Sequence, residues 1–133
     1  MDRSRKHTHI GIAGDAGHYY SLRHERCTAS MRTALSLLAP RLQGHELDRA
    51  YINMYPSNSF IPANRCVCEG PWRMAVVPLQ SHPVQGVTWY DAMDKAHHVI
   101  DEIGRALIFE SLAVMHAVRV VTQLRLSAVF LYR

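Results

Sequence analysis

Three hydrogen-bonding side chains alternate along one segment of the chain. Residues 47–55 read Leu-Asp-Arg-Ala-Tyr-Ile-Asn-Met-Tyr, and apolar and polar positions alternate strictly from Ala50 onward. In a half-buried β-strand, this period places Tyr51, Asn53 and Tyr55 on one face and the apolar side chains on the other. Two phenols and an amide offer both donors and acceptors, so this face is typical of a pocket wall.

The number of histidines in this chain raises the question of a metal site. The chain holds nine histidines and three cysteines. Cys66 and Cys68 with His82, or with the neighbours His97 and His98, can be combined on paper into a zinc site. Their spacings match no zinc framework. We therefore predict no metal ligands and interpret the histidines as solvated or capping residues.

A glycine series follows the first apolar segment. Gly11, Gly14 and Gly17 are spaced by three, whereas the dinucleotide fingerprint needs Gly-x-Gly-x-x-Gly and a helix that opens at once. A polar stretch follows here instead. We interpret the series as a turn and predict no cofactor.

Composition limits the class of protein. At 133 residues, with 48% apolar and 20% charged residues, the chain fits one globular domain over residues 1–133. The net charge of +4 lies in residues 1–73 and has no nucleic-acid recognition signature beside it. We detect no signal peptide, and charged residues interrupt the most apolar region, so we expect a cytoplasmic protein without a membrane span.

The first half of the chain predicts a β-α-β unit. Residues 7–13 suggest a short strand, and residues 15–26 are polar and turn-rich. A helix follows with apolar residues at helical spacing from Met31 to Leu42. Pro40 should kink or stop it near Ala39, and Gly44 is a plausible terminator. With the strand at 50–55 and a turn at 56–59, the two strands would pair in parallel.

The second half gives weaker patterns. Residues 74–77 and 87–90 suggest short strands. Apolar residues spaced by three and four predict a helix over about 92–110, capped by Thr88 or Asp91. From Val118 the period changes toward two, which favours a final strand, although a helix running to the C-terminus is an alternative. The predicted fold class is therefore α/β (α+β), with an additional C-terminal helix and strand.

Three segments in order resemble one known family. Residues 10–14 (Ile-Gly-Ile-Ala-Gly), 37–42 (Leu-Leu-Ala-Pro-Arg-Leu) and 48–55 (Asp-Arg-Ala-Tyr-Ile-Asn-Met-Tyr) resemble the second half of the macrophage migration inhibitory factor family, in the tautomerase superfamily. The resemblance covers residues 8–55, about a third of the chain, and leaves residues 67–133 unassigned. It implies a β-α-β unit of tautomerase type, a trimer, and unconventional secretion.

The resemblance also implies a site. In the family, this strand contributes a tyrosine and an asparagine to a pocket between subunits, and those substrate-pocket roles would fall on Tyr51 and Asn53. The family's base is an amino-terminal proline, whereas this chain begins Met1-Asp2, so we assign no catalytic residue. The first β-α-β unit of the family also has no counterpart here.

These observations predict a cytokine-like tautomerase relative, impaired as a keto-enol isomerase of phenylpyruvate-like substrates and acting through binding. Its partner would be a small keto-enol substrate or a protein. The alternative is a basic small adaptor or nucleic-acid-associated protein without a catalytic site. A third reading is that the C-terminal half has no stable fold.

Overall fold

A computed structural model describes residues 5–10, 16–23, 28–65 and 72–133. One helix and ten strands form in this part of the chain. In chain order they are β1 (Arg5–Ile10), β2 (Ala16–Arg23), α1 (Thr28–Leu42), β3 (Leu47–Tyr55), β4 (Ile61–Asn64), β5 (Arg73–Pro78), β6 (Gly86–Tyr90), β7 (Ala96–Ile100), β8 (Leu107–Glu110), β9 (Met115–Val118) and β10 (Arg125–Tyr132).

The strands form two antiparallel sheets. One sheet has six strands in the order β1-β2-β3-β10-β5-β8, and the other has four in the order β4-β9-β6-β7. Strand β10 is central in the larger sheet, because it pairs with β3 on one side and with β5 on the other. The architecture is a two-layer β-sandwich with one helix, so the predicted α/β (α+β) fold class is wrong.

The predicted β-α-β unit over residues 8–55 is also wrong. Strands β1 and β2 form an antiparallel pair, and part of the stretch interpreted as polar and turn-rich is strand β2. Although α1 connects β2 to β3, these two strands are antiparallel neighbours. A tautomerase-type unit requires a crossover between parallel strands, which this connection does not make.

Helix α1 packs on the outer face of the larger sheet. Its buried residues Ala34 and Leu38 contact a core formed with Ile52, Ala128 and Phe130. The predicted helix is present, but it passes through Pro40 to Leu42. Pro40 removes one N–H close to the helix end, and burial of Leu38 holds the last turns on the sheet. Gly44 follows the helix with a φ of +78°, as expected for a terminator.

The predicted helix over residues 92–110 does not form. Strands β7 and β8 lie there, separated by a turn in which Gly104 has a φ of +91°. Thr88 lies within β6. Asp91 caps a hairpin turn instead, because its Oδ1 accepts the N–H groups of Met93 and Lys95 at 2.9 and 3.0 Å.

The C-terminal half completes both sheets. The strands predicted at 74–77 and 87–90 are present as β5 and β6, and the final strand is present as β10. The apolar spacing changes at Val118, where we placed the start of the final strand. Val118 is instead the last residue of β9, and the final strand β10 begins at Arg125. Val129 and Phe130, on opposite faces of β10, are both buried. The segment from 72 onward is therefore integral to the fold.

Within the described ranges, no helix is long and apolar enough to cross a membrane. The cellular location and the trimer both stay predictions.

Candidate functional site

A cavity of about 200 Å³ lies between the two sheets. Strands β3, β5 and β10 of the larger sheet face β4, β6 and β9 of the smaller sheet across it. Its apolar lining consists of Ile61, Met74, Val76, Val87, Val118 and Val129. Its polar lining consists of Tyr51, Asn53, Tyr55, Asn64, His116, Arg125 and Ser127. An apolar cavity with a few polar groups converging on it is the usual form of a small-molecule site.

Strand β3 supplies one wall of this cavity. Tyr51, Asn53 and Tyr55 all line it, whereas Ile52 points to the other side and packs under helix α1. The Asn53 Nδ2 donates to the Tyr55 hydroxyl at 3.1 Å. The structure therefore brings Tyr51 and Asn53 together at one cavity. Their role in holding a substrate stays a prediction.

Arg125 sits beside Tyr55 at the start of β10. Its side chain is buried, and its guanidinium carbon lies 4.9 Å from the centre of the Tyr55 ring. Burial raises the pKa of Tyr55, and the positive charge of Arg125 opposes that rise. The phenol is therefore neutral at physiological pH and remains a hydrogen-bonding group.

A buried carboxylate holds one edge of the Arg125 guanidinium. Asp101 accepts from the Nε and Nη2 of Arg125 at 2.8 and 3.0 Å. The Nδ1 of His82 lies 3.0 Å from the same carboxylate. The third nitrogen, Arg125 Nη1, is buried without a hydrogen-bond partner, and so is the hydroxyl of Ser127 two residues further along the strand. Both residues line the cavity, so two buried polar atoms without a hydrogen-bond partner belong to its lining residues.

His116 on β9 brings an imidazole to the opposite wall. Its Nδ1 lies 3.0 Å from the carbonyl oxygen of Val114, so this nitrogen is the donor and the lone pair is on Nε2. Burial lowers the pKa of His116, and that backbone hydrogen bond opposes the shift. The imidazole is therefore neutral at pH 7, the form in which histidine binds metals.

Cross-strand pairing extends this wall over the smaller sheet. Asn64 on β4 and Trp89 on β6 are both register partners of His116, and His97 on β7 is the partner of Trp89. Residues directly opposite one another share a face. The Trp89 and His97 rings are stacked with centroids 4.3 Å apart, and Asp91 Oδ2 lies 2.8 Å from His97 Nε2. An aromatic surface thus continues from the cavity to the sheet edge.

Two of the histidines considered for zinc, His82 and His97, have other partners. His82 belongs to the Arg125 cluster, and His97 is paired with Asp91. Cys66, Cys68 and the glycines at 11 and 14 lie outside the described residues. Within the ranges that the structure covers, no group of three His, Cys, Asp or Glu residues could hold a metal ion.

Topology and cavity together define a class of protein. Strands β3 to β10 divide into two four-stranded layers, β3-β10-β5-β8 and β4-β9-β6-β7, which is the arrangement of a double-sheet jelly roll. The polar site lies between its layers. No protein-family model matches the sequence, and no curated protein matches it.

Solved structures share this fold. An oxidoreductase of the 2OG-Fe(II) oxygenase family from Burkholderia pseudomallei is similar with a TM-score of 0.71 and 21% identity, covering 97% of this chain and 72% of that one. SnoN, a non-heme α-ketoglutarate-dependent epimerase from nogalamycin biosynthesis, is similar with a TM-score of 0.68 and 13% identity, and the match covers 98% of this chain and 66% of SnoN. HygX from Streptomyces hygroscopicus, with nickel, 2-oxoglutarate and hygromycin B bound, is similar with a TM-score of 0.60 and 17% identity, and the match covers 86% of this chain and 69% of HygX. The likeness at these identities is one of fold.

These findings overturn the functional predictions made from the sequence. These fold neighbours are a 2OG-Fe(II) oxygenase-family protein, an α-ketoglutarate-dependent epimerase and HygX, and none of the three is a macrophage migration inhibitory factor or another tautomerase. The predictions of a cytokine-like tautomerase and of a keto-enol isomerase are therefore wrong. The alternative, a basic adaptor or nucleic-acid-associated protein, gains no support from this fold.

Sequence reasoning missed Arg125, Asp101 and His116, and it considered His82 for zinc and not as a partner of Asp101. A signal for two of them was present, because His116 and Arg125 interrupt the most apolar segment of the chain. A charged residue that starts an alternating apolar strand is worth considering as a site residue, since buried charges need partners.

Proposed function

We propose that the protein is a 2-oxoglutarate oxygenase-like protein whose cavity binds a small 2-oxo dicarboxylic acid. The observation that carries the proposal is the Nη1 of Arg125, buried at the cavity without a partner. A buried donor left without an acceptor costs about 1–3 kcal/mol. A ligand carboxylate would remove that cost and accept a charge-assisted hydrogen bond.

Cavity size and lining support a small acidic ligand. The volume of about 200 Å³ is below the ~300–1,000 Å³ that is usual for drug-sized ligands. One carboxylate would bind Arg125 and Ser127, and neutral polar groups from β3 and β9 would surround the remainder. HygX is a protein of this fold with 2-oxoglutarate bound, so we choose that acid as the first ligand to test.

The donor set does not fit an iron centre among the described residues. A non-heme Fe(II) site of this kind uses two histidines and one carboxylate. The described lining offers one imidazole, that of His116, faced by the amide of Asn64, and includes no carboxylate. We therefore propose binding of the acid and assign no oxidation step.

Isothermal titration calorimetry with 2-oxoglutarate tests the proposal. We expect binding by the full chain, and at least tenfold weaker binding by Arg125→Lys, because lysine keeps the charge but cannot hold Asp101 and a ligand at once. The same substitution at the exposed Arg119 is the matched control and should change nothing. Circular dichroism verifies that both variants fold.

Two results would contradict this function. One is the absence of any 2-oxoglutarate binding by the wild-type chain at millimolar concentration. The other is equal affinity in wild type and Arg125→Lys, which would place the ligand away from the guanidinium. Succinate, which lacks the 2-oxo group, shows whether the cavity recognises more than a dicarboxylate.

A further inference from the structure

Three ionisable side chains form a buried row behind the cavity. His82, Asp101 and Arg125 are 7%, 3% and 0% exposed. They come from three separate places in the chain: the loop before β6, the residue after β7, and the first position of β10. The side chains of His82 and Arg125 both bind Asp101 Oδ2, at 3.0 and 2.8 Å. In the proposed function Arg125 binds the ligand, whereas Asp101 and His82 have no role.

Asp101 fixes which part of Arg125 a ligand can reach. The carboxylate occupies the Nε and Nη2 edge of the guanidinium, so only Nη1 remains for the cavity. Backbone contacts hold Asp101 itself, because its N–H donates to the Gln85 carbonyl at 2.7 Å and its carbonyl accepts from the His82 N–H at 3.0 Å. The guanidinium is therefore held in one orientation, with Nη1 as its nitrogen without a hydrogen-bond partner.

The same contacts set the charge of the cluster. With His82 neutral, the positive charge of Arg125 and the negative charge of Asp101 cancel. A bound carboxylate then adds an unbalanced negative charge in a buried place, which is costly. A proton on His82 restores balance, since a protonated His82 still donates to Asp101 from Nδ1.

Other ionisable groups near the cluster do not supply this charge. The Tyr55 phenol is neutral, because burial raises its pKa. Arg105 lies near Asp101 at a second small pocket, but it is paired with Glu102 at 3.4 Å on the surface. His116 lines the same cavity on the opposite wall, but burial lowers its pKa. Among the described groups in direct contact with Asp101, His82 is the histidine.

We propose that Asp101 and His82 are positioning residues for Arg125, and that binding of a carboxylate in the cavity is coupled to protonation of His82. The proposal rests on the proposed function and adds its regulation by pH. Affinity for the acid is highest when His82 is protonated. It falls as the pH rises through the range in which histidine titrates, by up to about tenfold per pH unit for one coupled proton.

Calorimetry of the wild-type chain with 2-oxoglutarate tests the coupling. Titrations between about pH 6 and 8.5 keep the ligand carboxylates ionised, and buffers of different ionisation enthalpy give the number of protons taken up. We expect uptake approaching one proton per ligand. In His82→Asn, the amide can still donate to Asp101 but cannot be protonated, so both the uptake and the pH dependence of affinity should disappear.

Two further measurements complete the test. The variant His45→Asn, at an exposed histidine, should keep the wild-type pH dependence. Nitrogen NMR of the His82 ring in the wild-type chain does not depend on how well a variant folds, and should show a larger protonated fraction after ligand is added near pH 7. Binding that is independent of pH, or uptake that persists in His82→Asn, overturns the coupling alone. Absence of binding overturns the proposed function and the coupling with it.

Discussion

Two of the buried polar atoms without hydrogen-bond partners belong to residues of this site. Most buried polar groups in proteins are hydrogen-bonded, yet Arg125 Nη1 and the Ser127 hydroxyl are not. Both belong to residues on the inner face of β10 that line the cavity. Such unpaired atoms lower the stability of the free protein, and a ligand that hydrogen-bonds to them gains affinity. The effect of a substitution on the free energy of unfolding can therefore be compared with its effect on ligand affinity.

Replacing Ser127 by alanine separates binding from stability. The hydroxyl is buried without a partner, so its removal should leave the free energy of unfolding unchanged or slightly raised. The affinity for 2-oxoglutarate should fall about fivefold, the value of one hydrogen bond of about 1 kcal/mol. Urea unfolding and calorimetry on the same preparation give both quantities. A clear loss of stability with unchanged affinity would show that the hydroxyl serves the fold.

The imidazole of His116 makes a separate prediction about pH. Because burial lowers its pKa below the ordinary 6.5, the folded state binds a proton less readily than the unfolded state does. Stability is complete above about pH 6.5 and decreases as the pH falls through that value. His116→Asn can keep the hydrogen bond to Val114 and cannot titrate.

Thermal unfolding between pH 7 and pH 5 tests this difference, and we expect a flatter dependence in His116→Asn than in the wild type. The exposed His45→Asn variant should follow the wild type, which separates burial from the mere loss of a histidine. Identical slopes for all three proteins would mean that His116 is not held in its neutral form.

At the scale of elements, local patterns could be read from the sequence and long-range pairings could not. The helix was readable because Ala34 and Leu38 fall on one face, and β3 because its two faces differ in polarity. The two strands within residues 96–110 could not be predicted from the sequence, because their apolar residues recur at helical spacing. The turn at Gly104, which breaks that pattern, depends on a positive φ that many glycines do not adopt.

The site was readable only in part for the same reason. Tyr51 and Asn53 are neighbours on one strand, so alternation alone placed them on a common face. His82 and Asp101 are 19 residues apart, and Asp101 and Arg125 are 24 apart. Contacts of that separation depend on which strands become neighbours, and the resemblance used for residues 8–55 led to the wrong neighbours.

Two glycines should respond to substitution for different reasons. A Cβ on Gly86 would lie 1.9 Å from the Val99 carbonyl oxygen, which is backbone and cannot turn away, whereas Gly44 has open space but a φ of +78°. Gly86→Ala should therefore separate β6 from β7 and destabilise the protein by about 3 kcal/mol. Gly44→Ala should cost about 1–2 kcal/mol through backbone strain.

Asparagine distinguishes the two cases. It tolerates the left-handed conformation, so Gly44→Asn should recover most of the stability that Gly44→Ala loses. Gly86→Asn should be no better than Gly86→Ala, because its side chain meets the same carbonyl. Chemical unfolding of the four variants measures this, and recovery at position 86 would mean that the close approach of β6 to β7 is relaxed in solution.

On the scale of the whole molecule, the C-terminal half supplies what the N-terminal half cannot. Strand β3 gives a polar wall, whereas Arg125, the charged residue in the described lining of the cavity, lies on β10. The core under α1 likewise joins Ile52 to Ala128 and Phe130. The site and the core each combine residues from both halves, so we predict that the two halves fold together, unlike the alternative in which the C-terminal half has no stable fold.

Amide hydrogen exchange tests this joint folding. Strand β10 pairs with β3 and β5 over most of its length, so its amides should exchange only when the whole sheet opens. We expect β3, β5 and β10 to share the slowest rates, and β7 and β8 to exchange faster, because each lies at a sheet edge with one neighbour. Protection confined to residues 47–55, with rapid exchange throughout β10, would contradict the sandwich, because β3 would then have lost the neighbour that carries Arg125.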